Sequence, residues 1–368
     1  MFLQSLKLSN FKNYLAEEAV FCEHVNCFVG LNGSGKTNLL DAIYYLSLTK
    51  SAFNTIDSQN IRHEESFFLI KGEFKINNKF SIIQCSLKAQ EKKTFKVDGQ
   101  EYDKLSQHMG KYPVVMIAPN DDELIRESNE VRRRFFDSII SQYDREYLQV
   151  LIKYNHHLKQ RNAALKQFKE TRQFNATLLD NYDAVLIQAG KVIAEKRKAF
   201  LLQYQPYFQN NYDELADQKE NVTIDYSSKA LEVNFKELFM ESRDKDRIML
   251  RTLVGTHRDE FILKINGKPL KKFGSQGQQK STLISLKLAQ FEFIKAHLNL
   301  TPILLLDDIF DKLDDQRIQK LLDIISSDKF GQIFITDARE ERTRDLLIKK
   351  FETLKIFKID AAQMTELT

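Results

Sequence analysis

The sequence predicts an α/β fold: a head built on parallel strands, with an antiparallel β-subdomain and an inserted helical arm. Three observations carry this. The apolar run VNCFV at 25–29 ends in glycine and passes through a Gly-rich loop into a segment of helical periodicity. A second apolar run, LLL at 304–306, ends on two acids, Asp307 and Asp308. Between these stretches the pattern changes from period two to a long repeat of threes and fours.

Taken in order, residues 1–8 read as an edge strand through Leu6 and Leu8, and 25–29 as a buried strand feeding a loop. Leu39, Leu40, Ile43 and Leu46 recur at helical spacing. In 66–102, FFLIKGEFKI and KFSIIQCSL flank Asn77-Asn78, and TFKV precedes Asp98-Gly99. Such pairs tolerate positive φ and mark tight hairpins, which predicts the antiparallel subdomain. PVVMIA at 113–118 is another buried strand.

Phe135, Ile139, Tyr143, Tyr147, Leu151, Tyr154 and Leu158 then step by three or four, as do Leu179, Tyr182, Leu186, Ala189, Ile193, Lys196 and Phe200. A polar stretch separates the two runs, and Pro206 is expected to stop the second. This predicts an antiparallel helical hairpin. After about residue 245 the α/β pattern resumes: a hairpin at 261–265 turning on Asn266-Gly267, a helix after 275, and strands at 302–306 and 332–336. The expected organisation is a discontinuous head, 1–125 and 245–368, with a helical arm at 126–244.

Composition is that of an ordinary globular chain, 42% hydrophobic and 29% charged, which argues against disorder. Lys and Arg number 55 against 51 Asp and Glu. A net charge of +4 does not by itself announce a nucleic-acid partner; any such charge must be gathered on one face. Cys22, Cys27 and Cys85 form no CxxC pair and read as reduced thiols. No apolar run reaches the ~20 residues of a membrane span, and the opening segment has no signal-peptide core. The expectation is a cytoplasmic protein with no membrane partner.

The chemistry is densest at Gly30-Leu31-Asn32-Gly33-Ser34-Gly35-Lys36-Thr37, a GxxxxGK[ST] loop between strand and helix. Glycines let the backbone turn its N–H groups inward around phosphate, and the helix N-terminus adds positive potential. Lys36 is expected to reach the β- and γ-phosphates of ATP, and the Thr37 hydroxyl to ligate Mg2+. Asp307, at the end of an apolar strand, is expected to hold the same Mg2+ through water.

Further segments resemble those of ABC-type ATPases. Asp308 stands where that superfamily places the carboxylate that polarises the attacking water, usually a glutamate. The shorter side chain implies slow turnover; a purely structural aspartate is the other reading. Phe273-Gly274-Ser275-Gln276-Gly277-Gln278-Gln279-Lys280 resembles the signature loop, with Gln276 where glycine is usual. Ser275 and Gly277 would then face the γ-phosphate held by a second subunit; the plainer reading of Ser275 is a helix N-cap. Asp311-Lys312-Leu313-Asp314 resembles the D-loop. Thr336-Asp337 stands where a switch histidine is common, and Asn120 is the nearest polar residue for a Q-loop.

The stretch from Thr37 to Ser275 is longer than a transporter cassette's insertion and far shorter than SMC coiled coils. With Ser9-Asn10-Phe11-Lys12-Asn13-Tyr14, Arg132-Arg133-Arg134-Phe135-Phe136-Asp137, Gly255-Thr256-His257-Arg258-Asp259-Glu260 and the SQGQQK segment, the chain resembles the RecF family over nearly its whole length. That resemblance implies an ATP-dependent homodimer. It would bind duplex or gapped DNA without reading sequence and act with RecR and RecO in gap repair and replication restart. It also implies catalytic roles for Lys36, Asp308 and Ser275. The arginines at 132–134 read either as a solvated helix start or as a DNA contact, and His257-Arg258 either as a structural pair or, by the resemblance, as a nucleotide- or dimer-linked one. The rival classes are an ABC-transporter-type subunit, an SMC-like tether and an ABC-headed nuclease, the last of which would need an added acidic metal cluster.

Overall fold

The computed structural model describes residues 1–216, 220–311 and 313–367. It divides into two compact units, Met1–Asp121 with Lys287–Thr368, and Asp122–Leu286. The second unit therefore takes in residues 245–286, which the sequence pattern assigned to the head. The cause is a strand the pattern did not reveal. Val222–Ser227 pairs antiparallel with Glu260–Ile265 along its length, from Ser227↔Glu260 to Val222↔Ile265, and draws the 261–265 hairpin to the arm.

The first unit holds two six-stranded sheets. One is antiparallel. Phe67–Ile76 and Lys79–Lys88 form its central hairpin, turning on Asn77 (φ 48°) and Asn78 (φ 62°), and Thr94–Val97 turns on Asp98 and Gly99. Phe2–Phe11 is not an edge strand. It bonds to Tyr14–Val20 on one side and to Phe67–Ile76 on the other. Alternation signals a half-buried strand but cannot tell an edge from an interior position; here the buried set Leu3, Leu6, Leu8 and Phe11 has neighbours on both flanks.

The other sheet carries the site. Leu354–Asp360, Val25–Val29, Ile333–Asp337, Ile303–Leu306 and Val114–Ile117 lie side by side and parallel, with Gln363–Glu366 added antiparallel at one edge. Every residue of Val25–Val29 and Ile333–Asp337 is buried, the continuous pattern of strands covered on both faces. Phe21, Phe28, Phe334 and Phe357 form an aromatic cluster with centroids 4.9–6.0 Å apart. Helix Lys36–Leu48 buries Leu39, Leu40, Ile43 and Leu46, the stripe its sequence predicts.

The second unit is mainly helical. Helix Asn129–Tyr143 ends before Asp144, whose carboxylate accepts from the Tyr147 N–H at 2.8 Å and so caps the next helix, Arg145–Thr171. That helix returns as Ala176–Ala216, giving the expected hairpin. Pro206 does not stop it. The bond that proline forfeits belongs to the carbonyl of residue 202, and Leu202 is 72% exposed, so water can satisfy that group. On the opposite side Phe200, Tyr204, Phe208, Tyr212 and Leu215 stay buried, and this packing carries the helix through. Among the described residues no helix is long and apolar enough to cross a membrane. The three cysteines are free thiols.

Candidate nucleotide-binding site

Parallel register brings the chemical groups to one end of the sheet. Leu306 is level with Ile335 and Ile335 with Cys27, so Asp307, Thr336 and the loop after Val29 emerge together at the strands' carboxyl ends. The loop at 30–37 wraps there and becomes helix Lys36–Leu48. Two of its glycines are required by close approach. At Gly30 (φ 156°) a Cβ would collide with the Ile359 carbonyl; at Gly35 (φ 118°) it would lie 2.6 Å from Asn13 Nδ2 and 2.9 Å from the Tyr14 hydroxyl.

Lys36 is buried, and its ammonium donates to the carbonyls of Gly30 (2.8 Å) and Leu31 (3.1 Å). The Thr37 hydroxyl donates to Asp307 Oδ1 at 2.9 Å, and Thr336 Oγ1 donates to the same oxygen at 2.8 Å. Thr336 Oγ1 in turn accepts the backbone N–H of Asp308 at 2.9 Å. A continuous chain of hydrogen bonds therefore runs from the loop threonine through Asp307 and Thr336 to Asp308. Asp308 has φ 43°, a left-handed conformation that costs most side chains energy and that Asp and Asn tolerate best. Burial pushes the Asp307 carboxyl above the usual carboxylate range, against the opposing pull of the Thr336 and Thr37 hydroxyls. A carboxyl in that state gains from a cation beside it. Its donor set, one carboxylate and one hydroxyl, consists of hard oxygens few enough to leave room for phosphate oxygens and water. Thr37 and Asp307 therefore fit Mg2+.

Sequence motifs single out Lys12, Asn13, Tyr14 and Thr336 without giving them their structural work, and Asn38, Asp41 and Ser51 escaped the sequence reading. The turn after Phe2–Phe11 buttresses the loop from below: Asn13 Nδ2 donates to the Ser34 carbonyl at 3.2 Å, Tyr14 Oη to the Gly35 carbonyl at 3.2 Å, and Asn38 Nδ2 to Asn13 Oδ1 at 2.7 Å. Lys12 pairs at 2.6 Å with Asp41, which is fully buried and accepts from Ser51 Oγ and the Ala52 N–H. An acid beside the apolar stripe Leu39, Leu40, Ile43 is the one local signal that could have flagged Asp41. Thr336 links Asp307 to Asp308, while Asp337 accepts from the Thr343 hydroxyl and the Arg339 N–H. Asn120 is exposed. Of the D-loop segment, Lys312 lies outside the described residues.

Ser275 and Gly277 belong to the second unit. Ser275 is exposed at the start of helix Gln276–Leu298 and forms a reciprocal cap: its N–H donates to Gln278 Oε1 at 2.7 Å, and its Oγ accepts from the Gln278 N–H at 3.2 Å. The hydroxyl proton stays available to an acceptor outside the helix.

The parallel sheet, the loop at a helix N-terminus and the acid on the neighbouring strand define the class: a P-loop ATPase head. The model of the RecF/RecN/SMC N-terminal domain family matches residues 2–361. The DNA replication and repair protein RecF of Phocaeicola vulgatus is 45% identical over 369 residues, covering 100% of this chain and 98% of that one. Among solved structures, the recombination mediator protein RecF-ATPrS of the RecFOR pathway superposes with a TM-score of 0.89 at 30% identity, covering 100% of this chain and 98% of that one. The Smc head domain of Pyrococcus furiosus shares the fold alone, with a TM-score of 0.58 at 16% identity over 100% and 96% of the two chains. The chain belongs to the RecF family of DNA replication and repair proteins.

Proposed function

We propose that this protein is a cytoplasmic, ATP-driven switch that closes as a homodimer on duplex or gapped DNA and reopens on slow hydrolysis. RecR and RecO are its proposed partners, a reading supported by the relative named as a mediator of the RecFOR pathway. The residues at 30–37 bind ATP: their backbone N–H groups face the phosphates, and Lys36 turns its ammonium from the Gly30 and Leu31 carbonyls to the β- and γ-phosphates. Thr37 and Asp307 hold Mg2+, which when bound neutralises charge developing on the transferred phosphoryl group. Ser275 and Gly277 of a second copy offer a hydroxyl and a backbone N–H to the γ-phosphate. The helices of 126–244 serve as an arm on each head.

The observation that carries this reading is the hydrogen-bond chain Thr37–Asp307–Thr336–Asp308. It ties the residue proposed to orient the attacking water to the residues proposed to hold the metal, so a change at the phosphate end is felt at Asp308. Turnover is slow because the aspartate reaches less far than the glutamate usual in ABC enzymes.

Asp308→Asn tests the assignment cleanly. Asparagine also tolerates positive φ, so the backbone is kept while the base is lost. The variant is expected to bind ATP with wild-type affinity by calorimetry and to lose hydrolysis by about 100-fold or more. Wild-type turnover in the variant removes Asp308 from the chemistry.

A further inference from the structure

The two segments whose role the sequence left open, 132–137 and 255–260, meet within the second unit. They line one cavity of about 360 Å3, with Leu151, Tyr154 and Leu158 of helix Arg145–Thr171 on its other side. Gly255 makes this possible. It sits at φ 134°, and a Cβ there would collide with the Tyr154 hydroxyl.

The cations in and around this cavity are not equivalent. Arg132 is used up at the helix start, donating to the Leu124 and Glu127 carbonyls and to Asn129 Oδ1. Arg134 pairs with Glu130. Arg197 is matched by both Asp137 and Asp259, at 2.8 and 2.7 Å. Arg133 donates only to the Asp259 carbonyl oxygen, at 2.6 Å, and has no carboxylate within ion-pair distance among the described residues. Arg258 is exposed and makes no side-chain hydrogen bond or ion pair among the described residues. His257 adds no charge: its Nδ1 faces the Tyr154 hydroxyl (2.7 Å), its Nε2 faces the Thr252 carbonyl (2.9 Å), and burial lowers its pKa to about 4. The second carboxylate on Arg197 subtracts one charge. What remains is a cavity with a net positive lining and two guanidinium groups that, among the described residues, have no carboxylate within ion-pair distance, Arg133 feeling Asp259, Glu130 and Asp137 only at longer range.

We propose that this cavity is a phosphate site that takes a phosphodiester group of a nucleic-acid strand, with Arg258 and Arg133 as its ligands. Planar guanidinium forks match phosphate oxygens. The cavity is larger than a phosphate alone, and Leu151, Leu158 and the Tyr154 ring give a sugar an apolar wall. The contact positions a strand without reading its bases. This inference rests on the DNA-binding reading above and assigns it a place on the second unit.

The test is a salt titration of a fluorescein-labelled gapped duplex, with ATP, against wild type, Arg258→Ala and Arg258→Lys. Arg258→Ala is expected to weaken binding several-fold and to lower the magnitude of the salt slope by about 0.9, the share of one neutralised phosphate. Arg258→Lys is expected to restore the slope. ATP affinity by calorimetry is expected to be unchanged in both. Wild-type affinity and slope in Arg258→Ala overturn the site and leave the DNA reading standing. Failure of the wild type to bind any duplex overturns that reading and the site with it. If Arg258→Ala instead removes a second nucleotide-binding event per chain, the cavity is a nucleotide site and the proposal is wrong.

Discussion

The two units handle charge in opposite ways. In the first, the interior is mainly apolar and aromatic, with buried polar groups such as His108 and the Lys12–Asp41 pair set singly within it, and one polar cluster stands at the carboxyl ends of the parallel strands, where Lys36, Thr37, Asp307 and Thr336 meet. In the second, charge lies in the core itself. Arg161 is fully buried and bonds to Asp183 (2.5 Å), Asp246 (2.7 Å) and Thr252 Oγ1 (2.8 Å), while Arg243 joins the same Asp183 at 2.6 Å. Arg197 does the same for Asp137, Asp259 and the Thr256 carbonyl. Each network joins segments far apart in sequence. A buried pair is weak evidence of stability in itself, because desolvation offsets attraction, but removing one partner strands the rest. The difference teaches that the charges clustered at the first unit's strand ends are placed for a ligand, while the second unit's networks hold its helices in one arrangement.

The largest effect on stability is therefore expected at Arg161. Arg161→Ala leaves the buried Asp246 carboxylate without a cation and Asp183 with Arg243 alone, and should destabilise the protein by about 3–5 kcal/mol in urea unfolding. The comparison sharpens if all of Arg161, Asp183 and Asp246 are replaced by apolar residues of similar volume. Stability should then recover while the arm loses its fixed geometry. A loss below about 1 kcal/mol in the single variant would break the contrast.

A smaller effect samples both units with one chemistry. His108 in the first unit bonds to the Leu46 carbonyl at 2.7 Å, and burial lowers its pKa to about 4, as it does for His257 in the second. Both folded-state values lie below that of an unfolded histidine. The unfolded chain therefore takes up protons that the folded one refuses, and stability falls as pH drops from about 6.5 towards 4. Each histidine should contribute a loss of about 2 kcal/mol between pH ~7 and ~5. Urea unfolding at the two pH values, in wild type and in His108→Gln and His257→Gln, checks this. Variants that lose as much stability as wild type on acidification would show that the imidazoles do not titrate as their burial requires.

The same contrast explains what could be read in advance. The nucleotide site was legible because its chemistry forces residues into short runs: glycines at 30, 33 and 35, then Lys36 and Thr37, and an acid at a strand end. The central hairpins were legible because Asn77-Asn78 and Asp98-Gly99 supply the backbone angles the turns need. The roles of Asn13 and Tyr14 were not, since their work on the loop comes from a turn brought there by tertiary packing. The Arg161 and Arg197 networks left no local trace. An arginine or aspartate on a helical repeat looks solvated until its partners are located, and theirs lie tens of residues away. Pro206 misled because a propensity rule met a helix face with enough buried aromatic surface to override it.

The central claim is that one unit's phosphate loop works with the other unit's Ser275 from a second copy. The most direct measurement mixes Lys36→Ala protomers, which lack the ammonium, with Ser275→Arg protomers, in which a large side chain blocks closure. Alone, the first is expected not to bind ATP, and the second to bind it but neither dimerise nor hydrolyse well. In a mixed dimer one composite site carries both defects and the other carries none, so ATPase activity should reappear in proportion to the mixed fraction. Loss of ATP binding by Ser275→Arg alone would place Ser275 in its own subunit's pocket and contradict the account.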